Sequence, residues 1–150
     1  MVIILAAAVV SVFAANAQKL TIGERAPEIR IKEWLTERIN YQGTPLLLDF
    51  YHSSSKECDS NLAVLDGYAA KYGSGLNIMV IARESREKVE GALLGSPHKF
   101  SAVLDDGGRT FNNFAIQFVP FSVLIDGRGR VIWFGNPALL TNDILSRAVK

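Results

Sequence analysis

Two short apolar runs, Leu46–Tyr51 and residues 76–82, each follow a turn-forming triplet, Gly43-Thr44-Pro45 and Gly73-Ser74-Gly75. Runs of this length, bounded in this way, predict buried strands. Between them, Lys56–Tyr72 sets Cys58, Leu62, Leu65, Ala69 and Tyr72 three and four residues apart, the period of a helix buried along one face. Strand, helix, strand implies a crossover between parallel strands. Ser85 can cap a second helix to about Leu94, stopped by Gly95 and Pro97. Residues 100–104 predict a short strand and 105–108 a turn, followed by a short helix through Phe111 and Phe114. Phe121–Ile125 and residues 131–134 flank Asp126-Gly127-Arg128-Gly129-Arg130, which predicts an antiparallel hairpin. Gly127-x-Gly129 is not a dinucleotide fingerprint, because position 132 is Ile and a strand follows where a helix is required. A last helix starts after Thr141, with Ile144, Leu145 and Ala148 on one side. This order predicts an α/β fold, a mixed central sheet with helices on both faces.

Composition narrows the partners. In 150 residues, 16 basic side chains balance 15 acidic ones, so no strong field marks nucleic acid or an acidic membrane surface as the partner. The charges are also displaced: none precedes Lys19. The apolar stretch 2–15 is short of the about 20 residues of a transmembrane helix. It matches the core of a signal peptide, with Ala15-Asn16-Ala17 as a small-x-small cleavage site, although no Lys or Arg stands near Met1. The expectation is a signal peptide over 1–17, cleaved after Ala17, and one secreted or periplasmic domain over 18–150. An uncleaved anchor and a buried N-terminal helix are the alternatives. The chain contains one cysteine, which can form neither an internal disulfide nor a cysteine-rich metal site.

Three segments carry a resemblance. They are Leu46-Leu47-Leu48-Asp49-Phe50-Tyr51, then Ser55-Lys56-Glu57-Cys58 opening a helix, then Phe118-Val119-Pro120-Phe121-Ser122-Val123-Leu124-Ile125-Asp126 before a glycine-rich hairpin. Together they resemble the thioredoxin superfamily, in particular secreted TlpA/ResA-like thiol-disulfide oxidoreductases and their AhpC/TSA-related neighbours. Gly23-Glu24-Arg25-Ala26-Pro27 is similar to the opening segment of those proteins. The resemblance implies a thioredoxin-like three-layer sandwich. It also implies roles. Cys58 matches the second cysteine of Cys-x-x-Cys, Asp49 the buried acid that assists proton transfer, and Pro120 a cis-proline whose flanking backbone pairs with an extended substrate. Ser55 stands where the attacking cysteine belongs. The motif is therefore degenerate, since a serine hydroxyl without an adjacent base cannot replace a thiolate. No Pro-x-x-x-Thr-x-x-Cys segment is present, which excludes a peroxiredoxin.

The candidate catalytic residues are thus Cys58, Ser55 and Asp49, and the candidate substrate-binding residues are Val119, Pro120, Phe121 and Tyr51, with Phe118 beside them. Each also has a plainer reading: Cys58 as a small core residue, Asp49 as a relic at a strand end, Ser55 as a helix N-cap, the aromatics as core. A triad of Ser55, His52 and Asp59 lacks an oxyanion hole. A metal site of His52, Cys58 and Asp59 lacks a fourth ligand. His98 beside Pro97 reads as a solvated loop residue. No cofactor and no metal is expected. The expected partner is a protein or peptide, including a thiol-bearing one, with no nucleic acid and no membrane after signal cleavage. The oligomeric state is open. Two functions fit: slow disulfide exchange through Cys58 alone, or a redox-silent module that holds an extended segment beside Pro120.

Overall fold

The structure, a computed structural model, describes residues 19–149. The expected signal peptide, residues 1–17, lies outside the described residues. Six strands form one sheet in the order β1-β4-β3-β2-β5-β6. They are β1 Ile31–Trp34, β2 Leu46–Tyr51, β3 Asn77–Ala82, β4 Ser101–Asp105, β5 Phe121–Ile125 and β6 Val131–Gly135. Strands β2, β3 and β4 run parallel, whereas β1, β5 and β6 each pair antiparallel with a neighbour. The helices are α1 Lys56–Tyr72, α2 Arg86–Leu93, α3 Arg109–Asn113 and α4 Asn142–Ala148. This is the expected mixed sheet.

Alternation along β2 divides the core. Leu47 and Tyr51 face a cluster that holds Cys58, Leu62 and Leu65 of α1, Val89 and Leu93 of α2 and Leu145 of α4. Leu46, Leu48 and Phe50 face the other cluster, with Phe111 and Phe114 of the α3 segment and the N-terminal Leu20, Ala26 and Ile29 packed on it. Period-two side-chain placement therefore puts Asp49 on the same face as Cys58. Every residue of β2 is buried, which accounts for an almost unbroken apolar run in place of an alternating one.

The one strand that the hydrophobic pattern does not predict is β1. It is four residues long, carries Lys32 and Glu33, pairs only with β4 and has an irregularity between Ile31 and Glu33. Charges, shortness and a bulge are how an edge strand avoids pairing with other chains, and they erase the apolar signature. The opposite edge is partly covered as well. Gly23 and Ala26 donate their N–H groups to Val131 and Gly129, and Val131 donates to Glu24, so the opening segment lies along the start of β6.

Candidate active site at the N-terminus of helix α1

The chain leaves β2 at Tyr51, loops through His52-Ser53-Ser54 and enters α1 at Lys56 with Ser55 as N-cap. The Ser55 Oγ accepts from the Cys58 N–H at 3.1 Å, satisfying one of the unpaired donors of the first turn. The capping expectation for Ser55 holds. It also means that the hydroxyl is already engaged with backbone.

Cys58 lies one turn further on and is 1 % exposed. Burial pushes its thiol above the ordinary value, the Ser55 side chain and the His52 backbone pull it back, and the nearby carboxylates of Asp49 and Asp59 push it up again. At neutral pH the group is a protonated thiol, the opposite of an activated cysteine. Asp49, 1 % exposed, accepts from the Ser122 Oγ at 2.6 Å across the β2–β5 pair. Its carboxyl is pushed up to about 7 by burial, against the opposing effect of the Ser122 hydrogen bond. Cys58 and Asp49 are thus both buried on one face of the sheet, and the Asp49 carboxylate adds to the effects that hold the thiol protonated.

The Val119–Pro120 peptide is cis and leads into β5. Val119 packs against both core clusters, including the one that contains Cys58, and Pro120 is buried. Outside them, Phe118 is 67 % exposed and meets Phe121 edge-on at 5.7 Å, and Phe121 stacks on Phe134 of β6 at 6.0 Å. Pro120 and an accessible aromatic ridge therefore lie together.

Several expectations need correction. Tyr51 cannot grip a substrate, because it is fully buried, with its hydroxyl donating to Asp59 Oδ1 at 2.8 Å. That bond commits Asp59 Oδ1 to Tyr51. His52 Nδ1 is taken by Ser54, 2.7 Å from its Oγ and 3.1 Å from its N–H, so it does not reach Ser55 as a base. Among the described residues no group of three or more His, Cys, Asp or Glu side chains converges on a metal position. His98 is not a solvated loop residue: its Nδ1 lies 2.7 Å from Asp66 of α1 and its ring stacks on Phe100 at 4.6 Å.

Two structural residues escape the sequence reading. Glu84, with a side chain 7 % exposed, accepts from the Ser53 N–H at 2.8 Å and the Ser53 Oγ at 2.5 Å, and lies 3.5 Å from His52 Nε2. It stands just beyond β3, the parallel neighbour of β2, and so pins the loop that delivers Ser55. Asn61, 7 % exposed, donates to Asn136 Oδ1 at 3.1 Å and ties α1 to the segment after β6. The available signal for Glu84 was positional: parallel strands bring the residues after their C-terminal ends together.

No protein-family model matches the chain. Among curated proteins it is similar to the thiol-disulfide oxidoreductase ResA of Bacillus cereus (strain ZK / E33L), 25% identical over 125 residues, which cover 80% of this chain and 72% of that protein. Among solved structures it resembles a protein of Chlorobium tepidum described as a thiol:disulfide interchange protein DsbE. There the TM-score is 0.77 with 22% identity, over 87% of this chain and 99% of the other. The fold is that of the thioredoxin superfamily. A secreted disulfide oxidoreductase of Mycobacterium tuberculosis shares this thioredoxin-like architecture at a TM-score of 0.59 and 22% identity, over 72% of this chain and 81% of that one.

Proposed function

We propose that this chain is an extracytoplasmic thioredoxin-like protein of the thiol-disulfide oxidoreductase type whose dithiol chemistry is lost or much weakened. One observation carries the reading: the helix N-cap, where such chemistry needs a thiolate, is Ser55, while the sole thiol is buried three residues later with its pKa raised. A dithiol exchange needs an accessible thiolate to attack the substrate disulfide and a second thiol to release the mixed disulfide. Cys58 alone can form a Cys58–S–S–R bond with expulsion of one substrate thiolate, but release then requires an external thiol. Similarity to ResA and DsbE-like proteins supports the redox ancestry, and similarity to the secreted Mycobacterium protein supports the compartment. The uncharged, apolar start of the chain supports export with cleavage after Ala17.

A second reading is favoured by the cis Val119–Pro120 bond beside exposed Phe118 and half-buried Phe121. In it the redox-silent domain holds an extended partner segment, with backbone pairing supplying affinity and the aromatic ridge gripping side chains. The test is Ser55→Cys. If only the nucleophile was lost, the folded variant reduces a disulfide substrate while the unaltered protein does not. Unaltered protein that turns over a disulfide substrate with small thiols, with the activity abolished by Cys58→Ser, refutes the loss.

A further inference from the structure

We propose that the cavity at the end of β2 remote from Cys58 binds a small organic anion, its carboxylate, sulfonate or phosphate held by Arg25 and Arg128 and its apolar body lying against the partly exposed Ile29. The cavity encloses about 570 Å³, and those residues together with Tyr41 line it. Small-molecule sites fall in the range of roughly 300–1,000 Å³ and combine apolar walls with a few convergent polar groups.

The walls are built before any ligand arrives. On one side the opening segment is fastened to the hairpin by the Ala26 N–H to Gly129 carbonyl bond of 2.8 Å and the Arg25–Arg130 bridge. On another, the hairpin is closed on itself by Asp126, whose Oδ1 accepts from the N–H groups of Arg128 and Arg130 at 2.9 and 3.0 Å. The third wall, residues 41–44, is pressed against the hairpin so closely that a Cβ on Gly127 would stand 2.9 Å from the Gly43 carbonyl oxygen. A cavity framed by hydrogen-bonded backbone costs little ordering when it is filled.

The charge pattern selects the ligand. Arg30, Arg86, Arg109 and Arg147 each meet a carboxylate. Arg25, Arg38, Arg83, Arg128 and Arg130 make no ion pair among the described residues, and of these Arg25 and Arg128 border this cavity. Two acids also line it: Glu28 faces Arg30 at 3.5 Å, and Asp126 turns its Oδ1 to the hairpin amides and pairs with no guanidinium. The Tyr41 hydroxyl makes no hydrogen bond among the described residues, and burial of its ring raises its pKa, so it stays a neutral donor. Two arginines without an ion pair and a phenol hydroxyl without a partner, beside the partly exposed Ile29, suit an anion with a small hydrocarbon body, since guanidinium favours planar bidentate contact with carboxylates, sulfonates and phosphates.

The site is independent of the thiol, from which the six residues of β2 separate it by about 17 Å. The experiment is a titration of ¹⁵N-labelled protein with 1-naphthoate and, in parallel, with uncharged 1-naphthamide. Naphthoate is expected to shift the amide signals of Gly43, Gly127 and Gly129 saturably while leaving Ser55 and Cys58 unmoved. Naphthamide is expected to bind at least about tenfold more weakly, the worth of one charge-assisted contact. The exposed pair Arg25→Gln/Arg128→Gln should lose naphthoate binding by the same factor, and Tyr41→Phe should lose part of it. Absence of saturable shifts at those glycines, equal binding of the amide, or full binding by the double variant overturns the proposal. None of these outcomes bears on Ser55→Cys activity.

Discussion

Period-two placement on β2 sets Asp49 on the face of the sheet that α1 covers with Cys58, so a strand position and a helix position share one buried layer. The asparagine substitution Asp49→Asn tests the energetic side. A carboxyl whose pKa is about 7 in the folded protein and about 4 unfolded binds its proton more tightly when folded. Its contribution is fully present below about pH 4 and is lost as pH rises through 7, so stability falls across that window by roughly 4 kcal/mol. Urea unfolding between pH 4.5 and 8 should show that decline, and Asp49→Asn should flatten it. An unchanged slope in the variant shows that the acid is not the burdened group. For Cys58, labelling of the native protein by a small alkylating reagent at pH 7.5 is expected to run more than about tenfold slower than for an unfolded control. Equal rates contradict its burial. Both residues were legible in the sequence as candidates through the resemblance, Cys58 in the Ser55–Cys58 segment and Asp49 at the end of the preceding strand. Tyr51 was misplaced because an aromatic at a strand end reads the same whether it faces a groove or, as here, reaches beneath the helix to Asp59.

At the scale of elements, the caps and turns were the most readable features, because their chemistry is local. Ser55, Ser85 and Thr141 cap α1, α2 and α4, each by accepting from an N–H three residues on. Ser55→Ala should lower stability by about 1 kcal/mol, measured by the shift in denaturation midpoint. A loss near zero means that the first turn is held by tertiary contacts instead. The hairpin between β5 and β6 supplies a stronger test. Gly127 approaches the Gly43 backbone too closely for any side chain, so Gly127→Ala forces two backbone segments apart and should cost about 1–3 kcal/mol. Gly129→Ala, which meets no neighbour but stands at φ 83, should cost about 1 kcal/mol. What stayed hidden was whatever depends on a distant partner. The edge strand β1 has no periodicity of its own and exists because β4 offers it a ladder, and Glu84 matters only once β3 lies beside β2.

For the whole molecule, the alternation of β2 residues between two clusters explains why one apolar hexapeptide organises both layers of core. The fold class, the mixed sheet and the two-sided helices followed from the order of elements alone, since a strand-helix-strand unit and a terminal hairpin leave few ways to cover both faces. The sheet order brings a timing constraint with it. β2 lies between β3, which follows it closely, and β5, whose Ser122 lies 73 positions beyond Asp49. The opening segment waits longer still: Arg130 reaches back 107 positions to the Gly23 carbonyl. A chain emerging from its N-terminus therefore has no complete sheet to close on until the last hairpin is made. Nascent protein truncated before Phe121 should be cut rapidly by protease, whereas chains extending past Gly135 should resist. Because the opening segment is fastened by almost the last strand, the completed sheet and its resistance to protease are expected only near the end of synthesis.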